Sequence, residues 1–240
     1  MCRVGAIVVP QAARASMDET SRQANLAMFA IAAVGASEAL GCVFNGLDVP
    51  GVLCQLVIYA AWMVAAILYC RWLFRAYGDV ALLQGSSLRF KPREAVVSFF
   101  LPFVAFYRPY LALVDLHEAS DPRSIRIPPD AGLATSANHW EKLFPARSWW
   151  TLWLLAPLVT GLLDNASVLT HLPTMAQLSD PSTMLLSEES GSDGLARVLA
   201  ALIHLALAAL AVAVVRSIVA RQRERLRRLE TTLTSQASRE

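Results

Sequence analysis

Four apolar runs, each near the length that crosses a bilayer, constrain this chain more than any other feature. Residues 26–44 form nineteen positions with one charge, Glu38, and residues 52–70 form nineteen with none. Residues 149–163 form fifteen with Pro157 inside, and residues 198–215 form eighteen whose polar member is His204. Crossing roughly 30 Å of hydrocarbon takes roughly 20 apolar residues. The third run is therefore expected to continue to about residue 168, carrying Asp164 into the outer bilayer, and the fourth to about residue 217. Composition agrees, with 55% hydrophobic residues, 17% charged residues and a mean hydropathy of +0.45. Soluble domains hold about 45–50% and about 25%. The expected fold is all-α, a polytopic membrane helix bundle with four transmembrane helices.

A fifth apolar stretch, residues 95–114, has spanning length but contains Pro102, Arg108 and Pro109. Proline removes a backbone donor and an arginine at mid-depth is costly. A proline-broken re-entrant or interfacial helical hairpin over residues 94–118 fits better than a straight crossing, because irregular backbone is tolerated where protein buries it.

Basic residues fix the expected orientation, since Lys and Arg near spans are retained in the cytoplasm. Nineteen arginines and two lysines avoid the loop at 45–51 and the connector at 164–196. They cluster before the first span, between the second and third, and after the fourth, where Arg216, Arg221, Arg223, Arg225, Arg227, Arg228 and Arg239 lie. Four spans with both termini inside put every cluster on one side. The outer side then holds one base against seven acids and the inner side twenty bases against twelve acids. The formal +2 of the whole chain thus divides into −6 outside and +8 inside. The expected location is a cytoplasmic membrane with the basic face inside. Trp72, Trp140, Trp149 and Trp150 would lie near the inner headgroups, where indole is favoured.

The remaining segments are expected to play lesser parts. Residues 1–25 read as a flexible cytoplasmic segment without a convincing cleavable signal, the first twenty being of little structural consequence and Met17 a plausible start. Residues 26–220 make the membrane domain, with an outer connector at 169–194. Residues 221–240 read as a basic tail helix, and Val219, Leu226 and Leu233 recur every seven residues along the extension of the last span that leads into it. That pattern suits a solvated anchor, a helix on anionic lipid or a short coiled coil in a homo- or hetero-oligomer. Nucleic acid is not an expected partner. Cys42 and Cys54 suit either a disulfide or two small apolar contacts. No metal or haem is expected, as neither CxxC nor a histidine pair at ligand spacing occurs.

Glu38, Asp164 and His204 form the candidate intramembrane polar cluster. Counted at about 1.5 Å per residue, Glu38 and His204 lie at similar depth in the outer half of the bilayer. Ionisable residues there are costly and usually face a partner inside the bundle. They suit a polar contact that fixes helix pairing, or a ligand or proton site. Arg75 and Arg108, at the inner interface, are candidates for binding anionic lipid headgroups, or for pairing with Asp79, Glu94 or Asp115.

The motifs Arg71-Trp-Leu-Phe-Arg-Ala-Tyr77, Leu88-Arg-Phe-Lys-Pro92, Phe99-Phe-Leu-Pro-Phe103, Tyr107-Arg-Pro-Tyr110, Glu118-Ala-Ser-Asp-Pro122 and Trp149-Trp150 occur in that order. Together they resemble the bacterial membrane family named domain of unknown function 4328. The resemblance implies structural roles for Trp72, Tyr77, Pro92, Pro102, Pro109, Trp149 and Trp150, and makes Arg75 and Arg108 positions to test, but implies no activity. The chain departs from the family pattern at Gly78-Asp79 and at Ala105, where asparagines are expected, so any role for those amides does not carry over. The leading expectation is a non-enzymatic interaction or regulatory component. A transporter or channel component would instead use the Glu38–His204 region. A membrane enzyme acting on a lipid phosphate would bring Arg75 and Arg108 together with Asp79 or Asp115 in one cavity.

Overall fold

The structure, a computed structural model, describes residues 5–44, 51–83, 88–122, 139–170 and 191–237, with side chains for 11–41, 56–83, 88–122, 146–162 and 195–232. Among these residues the regular secondary structure is all helix, without strands. The helices are α1 (Gly5–Phe44), α2 (Gly51–Leu82), α3 (Pro92–Val97), α4 (Arg108–Ala119), α5 (His139–Thr170) and α6 (Gly191–Ala237), with a 3₁₀ turn at Val104–Phe106 before α4. Three of them hold segments long and apolar enough to cross a membrane, within Gln11–Gly41, Leu56–Leu82 and Leu195–Thr232.

The long helices stand in a row, α2 against α1, α1 against α6 and α6 against α5. The row curves, because α3 packs on α2 while α4 packs on α5, so the short helices bridge its two ends. Prolines start both short helices: Pro92 and Pro109 occupy first-turn positions, where the missing N–H costs nothing. Pro102 lies in the turn between them. At about 1.5 Å per residue, the six residues of α3 and twelve of α4 are each too short to span hydrocarbon.

At 40 residues α1 is about 60 Å long, and at 47 residues α6 is about 70 Å. Each is roughly twice the thickness of a hydrocarbon layer, and the two lengths of the molecule are built differently. One length exposes large apolar side chains such as Phe29, Val57, Met63, Leu162 and Leu202, a surface that suits lipid rather than water. The other length, toward the basic end, buries Met17, Trp72, Leu73, Tyr77, Leu83, Leu113, Leu116, Val215 and Ile218 in one core.

That packed core alters two expectations. Residues 5–25 are helix rather than a flexible segment; Met17, Thr20 and Ala24 are buried, and the Ser16 hydroxyl donates to Asp79 Oδ1. The described part of the tail likewise packs inward, where Gln222 donates to the Ala76 carbonyl (3.0 Å) and Arg225 is 1% exposed. Val215, Ile218, Gln222 and Arg225, spaced three or four residues apart, share the inward face of α6.

Asp115 links the hairpin to the stretch before it, accepting the Arg89 backbone N–H at Oδ2 (2.9 Å). Burial pushes this carboxyl above the usual aspartate range, with the bonds from the Arg89 and Phe90 backbone acting in the opposite direction. The folded state thus holds this proton to higher pH than the unfolded chain, and stability falls as pH rises through that window. Asp115→Asn keeps the acceptor and is expected to remove this part of the decline in thermal unfolding measured from acid to neutral pH. Asp115→Ala orphans the N–H and is expected to cost about 1–3 kcal/mol.

Candidate functional site

The curved row leaves a cavity of about 230 Å³ on its concave side. Helix α1 contributes Gly35 and Glu38 to the wall, and α6 contributes His204 and Ala208. Trp62 and Tyr69 of α2 form one flank, Trp149, Trp150 and Trp153 of α5 the other, and Phe99 adds a wall from the turn after α3. Among the described residues α2 and α5 do not pack along their lengths, so the two flanks face one another across the cavity.

Aromatic contacts close its hairpin end. Tyr69 meets Phe99 edge-on at 5.7 Å between ring centroids and lies 6.4 Å from Trp149. Trp150 stacks on Trp153 at 4.9 Å and donates its indole N–H to the Phe106 carbonyl (3.0 Å). The hairpin is thereby tied to both flanks. Geometries of this kind contribute beyond the apolar area they bury.

Polar groups mark the other end. Trp62 Nε1 donates to Glu38 Oε1 (2.7 Å). His204 Nδ1 lies 2.8 Å from the Ala200 carbonyl, which can only accept; Nδ1 therefore carries a hydrogen and Nε2 is left for other partners. Glu38 and His204 line the same cavity. The side chain of Asp164 lies outside the described residues, as do those of Cys42 and Cys54. Trp62 was not among the candidates, although a lone mid-span tryptophan was the available signal.

Close approach of α1 and α6 shapes this wall. A Cβ built on Gly35 would overlap Ala208 Cβ, so glycine is needed there for space. Small residues at such a contact let the two helix backbones approach closely.

Arg75 and Arg108 occupy separate environments and neither lines the cavity. Arg75 pairs with Glu19 of α1 at 3.8 Å, and Arg108 lies 5.9 Å from the Phe90 ring centroid. Asp79 is engaged by Ser16 and Asp115 by the Arg89 backbone. The convergence that a lipid-phosphate enzyme requires is not found among the described residues. Trp72 is buried in the core, and Tyr77 donates its hydroxyl to the Ala112 carbonyl of α4 (2.7 Å). Tyr77 thereby joins α2 to the hairpin. No group of His, Cys, Asp and Glu among the described residues is arranged to hold a metal.

Among the described residues, these features define an all-helical protein with three helices long and apolar enough to span a membrane and a proline-broken pair of short helices between α2 and α5. The family model described as Domain of unknown function (DUF4328) matches residues 42–220, and the chain belongs to that family. The match spans the hairpin, α5 and most of α6, so the motifs that carried the resemblance fall within it. No curated protein and no solved structure matches the chain.

Proposed function

We propose that this is a four-span protein of the bacterial cytoplasmic membrane, with both termini inside, acting as a non-enzymatic interaction or regulatory component. Its working surface is the basic inner face, where the hairpin lies at the interface and engages anionic lipid headgroups. The span added to the three apolar helices described above is α5, third in chain order, whose apolar run starts at Trp149. Phe103 carries the reading. It has φ 63° and ψ −44°, a sparsely populated conformation that costs roughly 1–3 kcal/mol, and yet the residue is 82% exposed. Backbone strain kept for a side chain that touches little of its own protein supports a role outside the fold. Phe100, Phe106 and Tyr107 are exposed beside it, and exposed Arg89, Lys91 and Arg93 lie at the hairpin's start. Aromatic rings with adjacent bases suit the headgroup layer of an anionic membrane.

A spin label at Phe103→Cys, in a background without the native cysteines and in vesicles containing phosphatidylglycerol, tests this. Relaxation by oxygen is expected to exceed relaxation by a water-soluble nickel chelate. Stronger relaxation by the chelate would put the hairpin tip in water and remove the basis of the reading. A second reading, a transporter or channel component, draws support from Glu38 and His204 sharing one cavity.

A further inference from the structure

We propose that the cavity between α2 and α5 binds a lipophilic monocation, with Glu38 as its counter-ion. The inference rests on the membrane reading above, because the polar end of the cavity belongs to helices fit to span hydrocarbon. A carboxylate at that depth is costly without a compensating charge. The partner found for Glu38 among the described residues is neutral, the Trp62 indole, and neither lysine nor arginine lines the cavity. Among the described residues the site therefore offers a carboxyl group and neither lysine nor arginine to pair with it.

The rest of the wall is aromatic and aliphatic. Tryptophan and tyrosine faces attract cations, the more strongly where the cation is desolvated. A cation with apolar substituents satisfies both the carboxylate and the rings, and a neutral apolar molecule satisfies the rings alone. A zwitterionic or anionic lipid headgroup fits poorly, since its phosphate would enter a site that holds a carboxylate and, among the described residues, neither lysine nor arginine. The separation of α2 from α5 supplies a route from the hydrocarbon layer, where a lipophilic cation would partition. His204 Nε2 adds a hydrogen-bonding group at the charged end.

The test is a calorimetric titration of the full chain, in nonionic detergent, with benzyltrimethylammonium and with its neutral isostere neopentylbenzene. Saturable binding of the cation is expected, at least tenfold tighter than that of the neutral compound. Glu38→Gln is expected to weaken the cation at least tenfold while changing the neutral compound less than twofold. Equal affinity for the two compounds on the unaltered protein, which needs no variant to fold, would overturn the proposal. So would an unchanged cation affinity in Glu38→Gln, or no saturable binding of the cation. The Phe103 spin-label measurement on the same protein reports independently on the membrane reading, so the two can fail separately.

Discussion

Arg225→Ala is expected to lower stability by about 3 kcal/mol, because one side chain closes three carbonyl groups at the ends of two other helices. Its Nε donates to the Leu83 carbonyl (2.7 Å), and its Nη1 donates to the carbonyls of Ala119 (3.1 Å) and Asp121 (2.7 Å). Leu83 follows the last turn of α2, while Ala119 and Asp121 mark the end of α4. Carbonyls at helix C-termini have no partner within the helix and carry its negative pole. A buried guanidinium supplies the donors in a fixed fork and the matching charge. Truncation orphans the acceptors and leaves a hole the size of a large side chain. Lysine is expected to recover less than half of the loss, because one ammonium cannot reproduce the fork. Thermal or chaotrope unfolding in detergent checks both variants. A loss below about 0.5 kcal/mol, the scale of an ordinary surface substitution, would show that the tail is not held through this residue.

Gly35→Val is expected to be the most damaging change within the apolar length of the bundle. Its side chain must enter space taken by the Ala208 methyl, and neither partner can rotate out of the way. Overpacking of this kind costs about 1–3 kcal/mol, and here it parts the two helices that carry Glu38 and His204. A paired exchange separates steric cause from other effects. Gly35→Ala alone is expected to destabilise, and combining it with Ala208→Gly is expected to restore most of the loss. The coupling of the two changes in a double-mutant cycle is the measurement. Strict additivity would place the contact elsewhere.

The parts of the fold that rest on hydropathy and proline chemistry were legible beforehand. The apolar runs anticipated the long helices, and Pro102, Arg108 and Pro109 correctly broke the fifth run into short pieces. Glu38 and His204 were found by one rule, that charge inside a span needs a reason. The packed core at the basic end was not legible. It joins α2 and α4 to α1 before its apolar run and to α6 around the end of its own, and the outlying parts of α1 and α6 read as a flexible segment and a basic tail. Arg225 shows why: one-dimensional sequence does not separate it from Arg223 or Arg227, since only the path of the neighbouring backbone turns a guanidinium into a cap. Gln222 and Arg225 also interrupt the apolar stripe that Val215 and Ile218 begin. The partners of Arg75 and Glu38 were missed for a related reason. Glu19 lay in a stretch expected to be flexible, and Trp62 reads as an ordinary apolar member of its span.

Reporter fusions placed after residues 47, 130, 180 and 240, using alkaline phosphatase for the outside and a fluorescent protein for the inside, test the four-span arrangement and the hairpin together. Phosphatase activity is expected at 47 and 180, and fluorescence at 130 and 240. Phosphatase activity at 130 would mean that residues 94–118 cross the membrane, and would contradict a hairpin held at the basic inner face.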